Sequence, residues 1–434
     1  MNRTILLQLK EWKESNNRKP LILRGARQVG KSWVVNELAA KYYAGQVHVI
    51  NFEKRTDWKA LFDRNLEPKR IISDLEILLN KSIDLTSDLL FFDEIQECPN
   101  AIKALRYFYE EMPELHVIAA GSLLEFTLSE ISFPVGRVRM LNMYPMSFSE
   151  YLNAIGSEPL AKMLKQTPKE LSPVINDKIK EELKKYFFVG GMPESVKTYV
   201  ETGSMKAVEQ IQIDIIETYK QDFSKYSPKV DSTCLNDVLS SVAENVGQQI
   251  KYTQLSQGFT GPTNKKAFEV LRTARLIHSV RSASPAGLPL SAHINTKQFK
   301  AIFLDIGLLV RQSGLSIARE YQKEQLLTIY KGALAEQFVG QELLAIGQTA
   351  LYYWSRNAKS SNAEVDYLIP HQGNIIPIEV KNSAAGSLRS LHLLLKTYPN
   401  CTHGLVLSDA RYGALPDQKL KFMPLYWAGM MSDE

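Results

Sequence analysis

Cysteine is scarce in this chain: there are three in 434 residues, and Cys98, Cys234 and Cys401 stand far apart. None of them has disulfide-framework or metal-ligand spacing, so reduced thiols in a cytoplasmic protein are expected. Long apolar runs are missing too. Charges break every hydrophobic stretch well before the ~18 residues that a membrane span needs, so no membrane partner is expected. The stretch Met1-Asn-Arg-Thr-Ile-Leu-Leu-Gln-Leu-Lys10 is charged where a signal peptide would be apolar, which argues against a secretory leader. Repeats and low-complexity segments do not stand out, which excludes repeat arrays and biased linkers. Nor does one sign of charge dominate: 52 Lys and Arg against 47 Asp and Glu leave a formal +5. Spread over this length, that excess permits nucleic-acid contact without demanding it.

What is present is a globular composition, 44% hydrophobic and 23% charged, in a chain long enough for roughly two to four domains. Its most informative stretch is Leu21-Ile-Leu-Arg-Gly25-Ala-Arg-Gln-Val-Gly30-Lys31-Ser32, an apolar strand running into Gly-x-x-x-x-Gly-Lys-Ser. Such a loop binds phosphate for physical reasons. Gly25 and Gly30 let the backbone curl so that successive N–H groups point inward at phosphate oxygens. Lys31 adds a point charge for the β- and γ-phosphates, and the Ser32 hydroxyl can ligate Mg²⁺. The run from Trp33 to Tyr42 reads as a helix whose N-terminal dipole joins the same anion site. The nucleotide-binding set is therefore Gly25, Ala26, Arg27, Gln28, Val29, Gly30, Lys31, Ser32 and Trp33. The base-reading Asn/Thr-Lys-x-Asp motif of GTPases is not visible, which favours ATP.

A phosphate loop needs an acidic partner, and Asp88-Leu-Leu-Phe-Phe-Asp93-Glu94 supplies one. Four apolar residues make a buried, parallel-type strand, and two carboxylates emerge at its C-terminal end, where open α/β sheets bind nucleotides. Asp93 is placed to hold the Mg²⁺ shell and Glu94 to polarise the attacking water. Two more strands are expected, Val47 to Glu53 and Leu115 to Gly121. Glu53 can approach the metal or stand as a solvated strand-end acid. Ser122 can reach toward a γ-phosphate or simply close a turn. Arg137, after Gly136 in the segment from Phe133 to Tyr151, can offer charge to a γ-phosphate in cis or in trans, or lie on the surface.

The stretch Gly25 to Ser32, the strand end Gly121-Ser122-Leu-Leu, Tyr144-Pro-Met-Ser-Phe-Ser-Glu-Tyr151 and Gly190-Gly191-Met-Pro-Glu194 together resemble a widespread prokaryotic family. It comprises AAA-type ATPases carrying a C-terminal domain of unknown function, and the resemblance runs across nearly the whole chain. It implies a helical lid over the nucleotide from Leu160 to about Tyr226, and Ser122 at the sensing position of such ATPases. Relatives of this type often form rings in which a neighbour's arginine completes the site, so ATP or ADP and other copies of the chain are candidate partners.

From Cys234 to Leu309 the pattern changes. Leu235 to Val246 reads as a helix, Thr253 to Gly258 as a short second one, and Lys265 to Ile277 as a third, capped by Asn264 or Thr263. Ile277 to Arg281 and Ala301 to Asp305 then read as strands around a wing, giving a winged helix-turn-helix. Lys265, Lys266, Arg272 and Arg275 would face DNA phosphates, unless the module packs against protein instead.

The last segment carries a second constellation. Ala363-Glu364-Val-Asp366-Tyr-Leu-Ile-Pro and Ile375-Ile-Pro-Ile-Glu379-Val-Lys381 are strands joined by His371-Gln-Gly-Asn. A turn centred between Gln372 and Gly373 sets Asp366 opposite Glu379, with Lys381 on the same face. Two opposed carboxylates repel unless a divalent cation lies between them, and the lysine would steady a phosphoryl oxygen or the attacking water. Asp followed by Glu-x-Lys on a hairpin is the signature of the restriction-endonuclease-like fold, and Glu336, on an upstream helix, resembles the glutamate that joins such metal sites. The same register sets Glu364 opposite Lys381, so a surface salt bridge competes for the lysine.

The expected architecture is α/β: a P-loop AAA-type ATPase core over residues 1–155, a helical lid over 156–228, a winged helix-turn-helix over 229–315, and a restriction-endonuclease-like domain over 316–434. The expected cofactors are ATP and Mg²⁺, with a further Mg²⁺ or Mn²⁺ in the C-terminal domain left open. ATP hydrolysis would drive conformational change coupled to DNA binding or metal-dependent cleavage. A signalling ATPase with an inert C-terminal interaction domain, and a nucleotide-gated scaffold with little turnover, stay open beside it.

Overall fold

The apolar stretches Leu21–Arg24, Leu89–Asp93 and His116–Gly121 form the middle of a parallel sheet because each is buried on both faces. The computed structural model describes residues 2–44, 46–128, 136–226, 230–314, 327–358, 361–381 and 387–430. They group into two compact units, Asn2–Tyr144 and the chain from Pro145 onward.

In the first unit the described strands are β1 (Leu21–Arg24), β2 (Val47–Asn51), β3 (Leu89–Asp93), β4 (His116–Gly121) and β5 (Arg139–Asn142), in the order β2-β3-β4-β1-β5 and all parallel. Because β1 and β3 flank β4, the residues that follow both strands emerge at one end of the sheet. On one face Phe62 packs edge to face on Phe52 and Phe92, Phe108 lies tilted against Phe92, and all four share a core with aliphatic residues of the helices Pro68–Leu79 and Pro99–Glu111. Asp88, at the foot of β3, is buried against His48 at 2.8 Å.

The second unit runs from Pro145. The helix Phe148–Ala154 belongs to it, since the buried Glu342 carboxylate accepts the Phe148 N–H at 2.9 Å. The expected boundaries at 228/229 and 315/316, like Phe133 to Val135, lie outside the described residues. The described elements between Glu158 and Tyr226 are all helices. The motif Gly190-Gly191 has a packing role. Gly191 donates its N–H to Asp305 at 2.6 Å and accepts from Met146 N at 2.6 Å, so this motif and Tyr144 to Tyr151 are held on one another.

The helix-turn-helix region departs from expectation in three ways. The second helix is only a 3₁₀ turn, Tyr252–Gln254. The third starts at Gly261, because Pro262 is tolerated in a first turn, and Asn264 is a buried helix residue donating to the carbonyls of Tyr252 and Ser256 rather than a cap. The hairpin of β6 (Ile277–Ala283) and β7 (Ile294–Phe303) is not a free wing, for β6 also pairs in parallel with β8 (Leu351–Ala358). It therefore forms one edge of a mixed sheet with β9 (Ser361–His371), β10 (Asn374–Val380), β11 (Gly404–Ser408), β12 (Gly413–Leu415) and β13 (Leu420–Pro424), ordered β12-β13-β11-β10-β9-β8-β6-β7 among the described residues. The helix Leu327–Ala345 lies against it: Gln337 exchanges two hydrogen bonds with the Phe303 backbone, and Gln341 accepts from Ile306 N. The helix Arg389–Thr397 buries Leu391, Leu394 and Leu395 with Trp354, Val365 and Val406.

Candidate functional site

The loop between β1 and the helix Lys31–Tyr42 is wound by two left-handed residues, Gln28 at φ 65° and Gly30 at φ 93°. Gly25 passes so close to the Met143 carbonyl that a Cβ would collide with it. Ala26 and Val29 are buried, Arg27 and Gln28 half-buried, and Trp33 is exposed at the first helical turn. The loop closes around its own lysine: Lys31 Nζ donates to the Gly25 and Ala26 carbonyls at 3.0 and 2.8 Å, almost entirely buried.

One residue on, Ser32 Oγ lies 3.1 Å from both carboxylate oxygens of Asp93, bringing the ends of the two motifs together. Asn51, at the end of β2, donates to Asp93 Oδ2 at 3.1 Å, and its carbonyl oxygen accepts from the N–H groups of Glu53 and Lys54. Burial, with the neighbouring Glu94 charge, raises the Asp93 carboxyl above its usual range against the pull of those hydrogen bonds. Hydroxyl and carboxylate oxygens converging at this spacing suit Mg²⁺, a hard cation that keeps part of its water shell. Glu94 is itself in a left-handed conformation, φ 51° and ψ 47°, which turns the chain sharply after the strand. Its Oε2 accepts from Gln96 at 2.8 Å and from Ser122 Oγ at 3.4 Å. Ser122 thus addresses the catalytic-candidate carboxylate.

Arg137 sits elsewhere. It is half-exposed and pairs with Glu110 at 2.8 Å, so the surface alternative describes its place in a single chain. At the sheet end the arginine found is Arg24, which donates to Asn142 at 2.8 Å and pairs with Glu125 at 3.2 Å.

In the second unit β9 and β10 pair with Asn374 opposite His371 and Ile378 opposite Tyr367, the register the turn predicts, ending one step before Asp366 and Glu379. A cavity of about 910 Å³ is walled by Glu336, Glu364, Asp366, Glu379 and Lys381. The pairings differ from expectation. Lys381 meets Glu379 at 2.6 Å, and Glu364 is taken by a residue outside the expected set, the buried Lys300 of β7, at 2.5 Å. Lys300 Nζ also lies 2.9 Å from Glu336 and 3.5 Å from Asp366. Burial alone would strip its proton, but these three carboxylates more than offset that and raise its pKa. Burial, with Asp366 close by, raises the Glu379 carboxyl, and burial likewise raises that of Glu336. Among the described residues no group of three or more His, Cys, Asp or Glu side chains is arranged to hold a metal ion.

Residues 17–152 match the family model described as an AAA domain. The phosphate loop and the acidic strand both lie inside that match. Residues 180–318 and 331–427 match two families, DUF8612 and DUF4143, each described as a domain of unknown function. Among solved structures, a Walker-type ATPase of Pyrococcus abyssi is 15% identical over 71% of this chain and 94% of its own, with a TM-score of 0.45. The Holliday-junction branch-migration motor RuvB of Thermotoga maritima is 15% identical over 62% and 85%, with a TM-score of 0.28. PCH-2 of C. elegans is 10% identical over 48% and 66%, with a TM-score of 0.27. No curated protein matches the chain. No described helix is long and apolar enough to cross a membrane.

Within the AAA domain, sequence reasoning missed Asn51 and Gln96, polar residues that hold the two acids of the second motif. Beyond it, Lys300 was missed although a signal existed. It is a single charge in Phe299-Lys300-Ala-Ile-Phe303, where an apolar strand leaves a lysine no solvated face.

Proposed function

We propose that this chain binds ATP with Mg²⁺ and hydrolyses it, and that the nucleotide cycle drives conformational change. The observation that carries the reading is the convergence of Ser32 on Asp93 at 3.1 Å, with Lys31 buried in the loop and Glu94 next in sequence. When bound, Mg²⁺ would supply positive charge to neutralise the charge that develops on the phosphates. Ser32 and Asp93 would hold that ion, and Lys31 would leave its loop carbonyls for the phosphates. Glu94, steadied by Gln96 and Ser122, would accept a proton from the attacking water. In an oligomer the exposed Arg137 is free to face a neighbouring copy's nucleotide in exchange for Glu110. The test is ATP turnover by Lys31→Ala, which should be abolished; normal turnover in that variant overturns the assignment.

The finer part of the reading is action on DNA. It is supported by the exposed Lys265 and Lys266 on the helix Gly261–Thr273, by the adjoining hairpin, and by the restriction-endonuclease-like order of Asp366, Glu379 and Lys381 with Glu336. One observation favours binding without cleavage: Lys300 already stands among the carboxylates. The reading is then of an ATPase whose C-terminal domain is an interaction module. Labelled single- and double-stranded DNA with Mn²⁺, with and without ATP, should stay intact while ATP is hydrolysed. Cleavage that Asp366→Ala removes would restore the metal-dependent nuclease.

A further inference from the structure

The C-terminal cavity gathers four carboxyl groups, Glu336, Glu364, Asp366 and Glu379, on its walls. So many acids in one pocket repel one another unless positive charge lies among them. A restriction-endonuclease-like site would recruit a divalent cation for this purpose. Here a side chain is already in position. Lys300 is 1% exposed, and its ammonium lies 2.9 Å from Glu336 Oε1, 2.5 Å from Glu364 Oε1 and 3.5 Å from Asp366 Oδ1. An ammonium has three protons to give, and three carboxylates surround this one.

Two further ligand positions are used as well. Asp366 Oδ2 accepts the Val380 N–H at 2.8 Å, and Glu379 Oε1 takes Lys381 at 2.6 Å. Glu379 Oε2 is a buried oxygen of the cluster with no hydrogen-bond partner. A divalent ion drawn to that oxygen and to Asp366 would sit within a few ångströms of the Lys300 ammonium, in a setting where like charges are poorly screened. The donor set therefore does not fit a metal as long as Lys300 is there.

We propose that Lys300 is the resident cation of this pocket, standing in for a divalent metal, so that the wild-type site takes up no metal ion and loss of the ammonium creates one. Unlike a metal, this cation cannot exchange with solvent. It is also covalently part of β7, so it fastens the hairpin that follows the helix-turn-helix to the carboxylates of β9 and of the helix Leu327–Ala345. The inference deepens the second part of the proposed function and is independent of the ATPase assignment.

Mn²⁺ binding by the full-length chain tests it, followed by electron paramagnetic resonance and calorimetry, with Asp93→Asn present throughout to silence the AAA-domain site. The parent should bind no Mn²⁺ that depends on Asp366. Lys300→Met should gain a bound Mn²⁺, and adding Asp366→Asn should remove it. The proposal is overturned if the parent already holds a Mn²⁺ that Asp366→Asn abolishes, or if a folded Lys300→Met variant, judged by its melting curve, gains none. Should Lys300→Met fail to fold, the comparison of the parent with and without Asp366→Asn still decides. A difference in bound Mn²⁺ sinks the proposal, and equality supports it. DNA binding or cleavage enters neither readout, so failure here is distinct from failure of the DNA reading.

Discussion

Ser32 Oγ is equidistant from the two carboxylate oxygens of Asp93, 3.1 Å from each, although sixty-one residues separate them. The pair is a hydroxyl and an acid held as a chelating edge before any ion arrives. Asp93→Asn should weaken Mg²⁺-dependent ATP binding and stop turnover. Glu94→Gln should keep nucleotide binding and lower kcat by about 10²–10⁴-fold, the range for loss of a positioned general base. Equal turnover by Glu94→Gln and wild type, in a steady-state phosphate-release assay, would favour the nucleotide-gated scaffold instead.

Asn51 is a positioning residue for Asp93. Its amide donates to the carboxylate while its carbonyl oxygen organises the turn at Glu53 and Lys54. A hydrogen bond to a charged group is worth about 1.5–3 kcal/mol, so Asn51→Ala should lower kcat roughly tenfold or more with a smaller change in KM. Asn51→Asp keeps the turn acceptor but sets a second carboxylate on Asp93. It should be the worse variant, and if the two behave alike the amide plays no part in holding Asp93.

Gly190 stands at φ 72° and ψ −171°, a region only glycine enters readily, and a Cβ there would run into the Asp305 carboxylate. Gly190→Ala should destabilise the second unit by on the order of 3 kcal/mol, since strain and a lost buried contact act together. Thermal unfolding should show a drop of several degrees in the transition of that unit, with nucleotide binding retained. A variant that melts with the wild type would mean the backbone relaxes there without cost.

Glu342 is buried beside the Phe148 N–H, and burial lifts its pKa to about 8. A carboxyl whose folded pKa exceeds its unfolded one contributes its full stability below the unfolded value, and that contribution is lost as pH rises through the folded one. Asp305, lifted by burial to about 6, acts in the same direction. Melting temperature should therefore fall between pH 5 and pH 8.5. Glu342→Gln retains an acceptor for Phe148, and its profile over that range should be visibly flatter. Identical slopes would show that Glu342 ionises at its ordinary pH.

Much of the local chemistry could be read directly. The phosphate loop needs only consecutive residues, because its curl is made by Gly25, Gly30 and their neighbours. The β9–β10 register follows from one tight turn, since a strand alternates its side chains strictly and the loop length sets the phase. What was misread depended on distant partners. Thr263 and Asn264 have the chemistry of a cap, yet tertiary packing buries Asn264 on the carbonyls of Tyr252 and Ser256. The hairpin looked like a wing because nothing in it announces that β6 will also pair with β8.

The sequence by itself determined the nucleotide loop, the acidic strand and the pairing of β9 with β10, because each is specified by short-range spacing and backbone geometry. The tertiary structure decided what those groups face. It set Arg137 on Glu110, turned Gly190-Gly191 into a packing joint, and brought Lys300 against three carboxylates that lie thirty-six to sixty-six residues further along the chain. Charges settle where burial and neighbouring charges make them least costly, and that balance depends on which strands lie side by side.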